Sequence, residues 1–145
     1  GLVAGYPVVD IKVTVFDGKA HSVDSSDAAF QTAGALALRE AAANGNVVLL
    51  EPVDEVTIRV PDHYVGAVMS DLSGRRGRVL GTEPDPAGGD RTLVHAEVPA
   101  TELVRYAVEL RSMTSGAGTF RRSFARYEPM PAHLAEQVRK EHAAA

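Results

Sequence analysis

The sequence predicts an α+β chain in two parts: a strand, turn and helix over residues 1–50, then a split βαβ sandwich over 51–128, closed by a short helix at 129–145. Three observations carry this. Apolar residues alternate between positions 9 and 15, small and apolar residues recur at helical spacing between 30 and 41, and one strand-helix-strand pattern occurs twice after position 56.

Val9, Ile11, Val13 and Val15 alternate with Asp10, Lys12 and Thr14, the period of a strand with one buried face. Phe16-Asp17-Gly18-Lys19 ends it in a turn that contains His21. Asp24, Ser25 and Ser26 each offer a short side-chain oxygen to unpaired backbone N–H groups, marking a helix start. In that helix Phe30, Ala33, Gly34, Ala37, Leu38 and Ala41 share a stripe small enough to lie close against a sheet. Asn44-Gly45-Asn46 stops it. Extended structure resumes at Val47, and Pro52 marks the joint between the two parts.

The second part repeats itself. "VTIRVPDHYVGAVMSDL" aligns with "LVHAEVPATELVRYAVEL" at a constant offset, placing Val60-Pro61 on Val98-Pro99 and Leu72 on Leu110. Val65, Val68, Met69 and Leu72 fall at i, i+3, i+4, i+7 in the first helix, and Leu103, Tyr106, Ala107 and Leu110 do so in the second. Each proline starts a helix where its missing N–H would be unpaired anyway. The turns "SGRRG" and "SGAG" lead into the strands "RVLGTEP" and "GTFRRSFARYEP", and "DPAGGD" joins the halves. Two such halves make a ferredoxin-like sandwich with its helices on one sheet face. Beyond it, Leu134 and Val138 stand at i, i+4 on a closing helix whose end frays.

Composition narrows the function. The 145 residues carry 15 Lys+Arg against 19 Asp+Glu, a net charge of −4, so a uniformly basic surface is excluded and a local basic patch is not. Without cysteine there is no disulfide framework and no thiolate, which fits the cytoplasm. No apolar run approaches the roughly 20 residues of a membrane span, and the start lacks the layout of a signal peptide. The opening "GLVAGYPVVDIKV", already near a strand, fits a piece of a longer chain.

Chemical motifs are few. GxxxxGK[ST] is absent, so the chain is expected to carry neither nucleotide cofactor nor catalysis of its own. His21, His63, His95, His133 and His142 lack metal-ligand spacing, and no metal site is expected. His21, Asp24 and Ser25 contain the residue types of a hydrolytic triad, but side chains on one short turn seldom reach relay geometry, and capping suits Asp24 and the serines better. Arg75, Arg76 and Arg78 follow a helix between Gly74 and Gly77, where they either complement the helix end or grip phosphate. Phe120 and Phe124 alternate on one face of the last strand; core packing is the reading favoured over base stacking. Arg122 shares that face, at a rim or toward a partner.

"GYPVVDIKVTVFDGKAHSVDSSDAAF", "VLLEPV", "VMSDLSGRRGRVLG" and "YAVELRSMTSGAGTFRRSFARYEPMP" together resemble the C-terminal portion of elongation factor G, the family of translational GTPases that drive ribosomal translocation. The resemblance implies that residues 1–50 are the second half of domain IV, a βα unit akin to a ribosomal-protein fold, and that 51–128 are domain V. It further implies a ribosomal partner. Gly18, Lys19, Ala20, His21 and Ser22 match a tip loop that the family places beside tRNA and mRNA, which leaves the imidazole to contact RNA. The Arg75, Arg76 and Arg78 turn becomes a contact with ribosomal RNA or protein of the large subunit. GTP and Mg are implied for the full-length family, outside this chain.

Two departures stand out. The family's Gly-Arg-Gly turn is Gly116-Ala117-Gly118 here, and a commonly apolar position is Arg122. They point to an elongation-factor-G-like paralogue, for which ribosome recycling or protection is the alternative to translocation. A ferredoxin-like regulatory ligand-binding module is a further alternative, and an acid-base enzyme using His21 a remote one. The half domain IV leaves a sheet edge expected to be ordered only by other packing, including self-association.

Overall fold

The computed structural model describes residues 1–145. In chain order the elements are α1 (Asp27–Ala43), β1 (Leu50–Pro61), α2 (Val65–Gly74), β2 (Arg78–Pro84), β3 (Arg91–Pro99), α3 (Tyr106–Met113), β4 (Thr119–Pro129) and α4 (Ala132–Ala144). Short 3-10 turns at Asp62–Tyr64 and Ala100–Leu103 precede α2 and α3. The chain forms two compact units, Leu50–Pro129 and Gly1–Leu49 with Met130–Ala145.

Unit Leu50–Pro129 is the ferredoxin-like sandwich. Its sheet has the order β2-β3-β1-β4 with every neighbouring pair antiparallel, so each βαβ is split by a strand of the other half. Register places Val56 opposite Ala96 and Ile58 opposite Val94. With Val60 and Val98 these side chains form a floor, buried under Val68 and Leu72 of α2 and Leu103, Tyr106 and Leu110 on the second half. The period of two sends Thr57, Arg59, His95 and Glu97 to the opposite, open face.

The two prolines act one step earlier than expected. Pro61 (φ −57°) and Pro99 (φ −56°) precede the 3-10 turns, not the α-helices. Leu103 therefore belongs to a turn, and Met69 and Ala107, expected in the buried stripe, are exposed. Gly77 ends the first half-turn because its N–H donates to the Leu72 carbonyl at 2.8 Å, and a Cβ there would lie 2.7 Å from that same oxygen. Thr114 closes the matching turn: its buried hydroxyl donates to the Leu110 carbonyl at 2.7 Å and accepts from the Gly118 N–H at 2.8 Å.

In the other unit, the alternation over residues 9–15 does not become a strand. Alternation fixes which face would be buried, but a strand exists only with a neighbour to complete its hydrogen bonds. None of the chain's segments supplies that neighbour. Asp10 also sits at φ 55°, which breaks the extended run, and Val9, Ile11, Val13 and Val15 are all exposed. Helix α1 forms as expected, but its apolar stripe faces solvent and none of its residues is buried. The small core of this unit is Ala4, Leu49 and Ala135 with half-buried Met130 and Val138. The closing helix is thus tied down, and the Met130 N–H donates to the Leu49 carbonyl at 2.8 Å.

Candidate functional site

The turn before α1 is held by a reciprocal pair. The His21 N–H donates to Ser25 Oγ at 2.7 Å, and the Ser25 N–H donates back to the His21 carbonyl at 3.1 Å. Upstream, the Gly18 N–H donates to Asp17 Oδ1 at 2.8 Å. Gly18, Lys19, Ala20, His21 and Ser22 are all exposed on this bend. The backbone of His21 is therefore fixed, while its imidazole makes no hydrogen bond or ion pair within the chain.

The three expected cap residues divide their work. Ser26 is the N-cap, its Oγ accepting from the Ala29 N–H at 3.1 Å. Ser25 instead ties the His21 bend, and Asp24 makes no side-chain hydrogen bond. Only the residue adjoining the first helical turn has the backbone geometry to reach its orphan N–H groups, which is why one of three equivalent-looking candidates caps.

The arginine turn is more internally engaged than its spacing suggests. Arg75, 14% exposed, donates to Asp71 Oδ2 at 2.7 Å, to the Glu102 carbonyl at 2.9 Å and to the Glu109 carboxylate, and lies 4.9 Å from the Tyr106 ring centroid. Its pKa is raised, chiefly by the hydrogen bond to Asp71. Arg76, at φ 59°, forks onto both Glu51 oxygens at 2.6 and 3.0 Å and reaches Glu102 at 3.2 Å. Arg78 has a 69% exposed side chain with one bond, to Glu97 at 2.8 Å. So Arg75 and Arg76 hold the turn together, and Arg78 is its outward member.

Glu97 also accepts from Arg126 at 2.6 Å, and these guanidinium groups, Arg126 foremost, pull its carboxyl down to about 2. Asp85 is lowered by the Ala87 N–H and by Arg59, and Glu109 by Arg75. A carboxylate depressed by folding stabilises the native state above its unfolded pKa of about 4, and that contribution disappears as pH falls through the folded value. The melting temperature is therefore expected to hold level from about pH 7 to about pH 5 and to drop between about pH 4.5 and pH 2. A thermal melt series on Glu97→Gln checks this: the acid drop should be shallower than in the parent, and an unchanged profile would exclude Glu97.

Phe120 and Phe124 part company. Phe120 is half-buried, edge-on to Tyr106 with centroids 5.0 Å apart, as core packing requires. Phe124, opposite Asp54, is exposed, so the core expectation fails for it. Arg122 sits at the rim, 3.7 Å from Asp54. On the open sheet face His95 lies between Thr57 Oγ1 and Glu83 Oε1, each at 3.2 Å. No three His, Asp or Glu side chains converge as metal ligands.

Two features escaped sequence reasoning: the carboxylates that hold the arginine turn, and the pairing of Tyr127 with Phe124. Asp71, at i−4 from Arg75, was the one partner with a local signal.

These features define an α+β scaffold whose turns are pinned by ion pairs and backbone bonds, with His21 and Arg78 exposed. The chain belongs to the elongation factor G family: residues 48–138 match the elongation factor G C-terminus and residues 1–46 match elongation factor G, domain IV. It is 68% identical over 139 residues to an elongation factor G-like protein of Mycobacterium tuberculosis, covering 96% of this chain and 19% of that protein. It is 50% identical over 138 residues to elongation factor G of Aquifex pyrophilus, covering 95% and 19%. A crystal structure from Thermus thermophilus superposes with a TM-score of 0.81 at 43% identity, covering 100% of this chain and 22% of that one. The chain thus spans about a fifth of the length of these relatives.

Proposed function

We propose that this chain is the ribosome-binding C-terminal part of an elongation-factor-G-like translational GTPase of the cytoplasm, acting in translocation by presenting the His21 bend to the decoding region. The carrying observation is the bend itself: a backbone locked by Ser25, an imidazole without an internal partner, and the capped start of α1 directly behind it. Asp17, Asp24 and Asp27 surround Lys19 and His21 there, so the bend is not a general phosphate magnet. Stacking of the ring on a base, with Lys19 and free N–H groups of α1 toward phosphate, is the contact that this charge pattern supports. Gly18, Ala20 and Ser22 shape the loop.

In the sandwich, Arg78 is the residue offered to ribosomal RNA or protein, with Arg75 and Arg76 holding its turn. The chain performs no bond-making; GTP and Mg belong to a nucleotide-binding part of the whole factor. The exposed apolar alternation over residues 9–15, left without a neighbouring strand, is the segment through which the isolated chain would self-associate.

A paralogue working in recycling or ribosomal protection is the second reading. It is favoured by the higher identity to a protein named elongation factor G-like than to elongation factor G itself, and by Ala117 and Arg122.

Co-sedimentation of the 145-residue chain with ribosomes tests the partner. Binding is expected, weakening steeply as salt rises because phosphate contacts release counterions. A chain that stays in the supernatant at low salt would refute the reading.

A further inference from the structure

β4 carries a surface that the His21 bend and the Arg78 turn do not account for. The pairing of β1 with β4 matches Val53 to Arg126 and Asp54 to Phe124, which leaves Ala125 as an extra, bulged residue. In a regular strand, side chains three apart point to opposite faces. The bulge re-aims them, and Phe124 and Tyr127 meet on one side with centroids 5.1 Å apart and planes at 59°. Both rings face solvent, at 58% and 60% exposure.

The surroundings are basic. On a chain of net charge −4, β4 places Arg121, Arg122 and Arg126 against one carboxylate, Glu128. Arg126 is occupied by Glu97 and Glu128. Arg122 is held only loosely, at 3.7 Å from Asp54, and Arg121 makes no hydrogen bond or ion pair. β4 is also an outer strand of the sheet. Register puts Arg122, opposite Val56, on the same face as Phe124, opposite Asp54, and sends Arg121, opposite Thr57, to the other face. Paired aromatic faces beside a loosely held guanidinium have the chemistry of a single-stranded nucleic-acid platform: the rings take a base and Arg122 takes an adjoining phosphate.

We propose that β4 is a further RNA-contacting surface, with Phe124 and Tyr127 stacking on an unpaired base and Arg122 engaging a flanking phosphate. The choice of RNA as partner rests on the ribosomal reading above; the surface itself rests on the bulge and the charges.

The test uses the 145-residue chain and a short RNA hairpin whose unpaired loop carries a base analogue quenched by stacking. The parent chain is expected to bind and quench. Phe124→Leu with Tyr127→Leu keeps exposed apolar bulk, should melt like the parent, and should bind about tenfold more weakly with the quench lost. Arg122→Gln should lower the slope of log affinity against log salt by about one. A parent chain that does not bind the hairpin, or leucine variants that bind and quench like it, would overturn the proposal. So would leucine variants that retain the hairpin and lose a ribosomal protein instead, which would assign the surface to protein. Ribosome pelleting separates the two readings. Leucine variants that pellet as the parent does count against β4 alone, whereas a parent that fails to pellet counts against the ribosomal reading and leaves the hairpin to decide β4.

Discussion

Arg75→Met is expected to destabilise the sandwich by about 2–3 kcal/mol, while Arg78→Met costs under about 1 kcal/mol. The two residues are three apart in one arginine-rich turn, yet their surroundings differ. Removing the Arg75 cation leaves the Asp71 and Glu109 carboxylates facing each other, strips a donor from the Glu102 carbonyl and uncovers one side of the Tyr106 ring. A partly buried pair broken from one side costs more than it contributed, because the remaining charge loses its partner without regaining water. Asp71 and Glu109 keep some solvent contact, which places the cost just below the range of about 3–5 kcal/mol for fully buried pairs. Arg78, at 69% exposure, trades one surface ion pair for water. Urea melts of both variants measure the difference. Adding Asp71→Asn to Arg75→Met should recover part of the loss, since the stranded charge is then gone. Equal costs for the two arginines would contradict the assignment of Arg75 as the holding residue.

The sandwich was legible because every clue needed for it lay within a few residues of its effect. β-branched runs, Pro61 and Pro99, and the stripes ending in Leu72 and Leu110 specify strand, turn and helix locally, and the internal repeat doubles each signal. The 3-10 turns were missed because a proline marks where a helix can begin without setting how tightly the first turn winds. The alternation at 9–15 misled for the opposite reason, since a strand depends on a partner that the pattern itself does not contain.

Site residues divide along the same line. Ser26 and the exposed His21 bend follow from short-range backbone geometry, although which of Asp24, Ser25 and Ser26 would cap did not. The arginine turn could be seen as a cluster, but its partners Glu51, Glu102 and Glu109 arrive from 25 to 34 residues away through the fold. Their presence turns Arg75 and Arg76 from outward cations into internal ties. Tyr127 needs the bulge at Ala125 to reach Phe124, and "SFARYEP" gives no sign of it.

His21→Ala in the full-length factor is expected to slow tRNA–mRNA movement about tenfold, the scale of one lost base–ring stack. The substitution leaves the bend's fold intact, since the Ser25 lock uses only the backbone of residue 21. It is also expected to leave nucleotide chemistry alone, as GxxxxGK[ST] is absent from this chain. Single-turnover kinetics that follow mRNA movement and GTP hydrolysis on the same ribosomes test the central claim most directly. The account predicts slow movement with hydrolysis at the parent rate; equal loss of both, or movement unaffected by the missing imidazole, would contradict it.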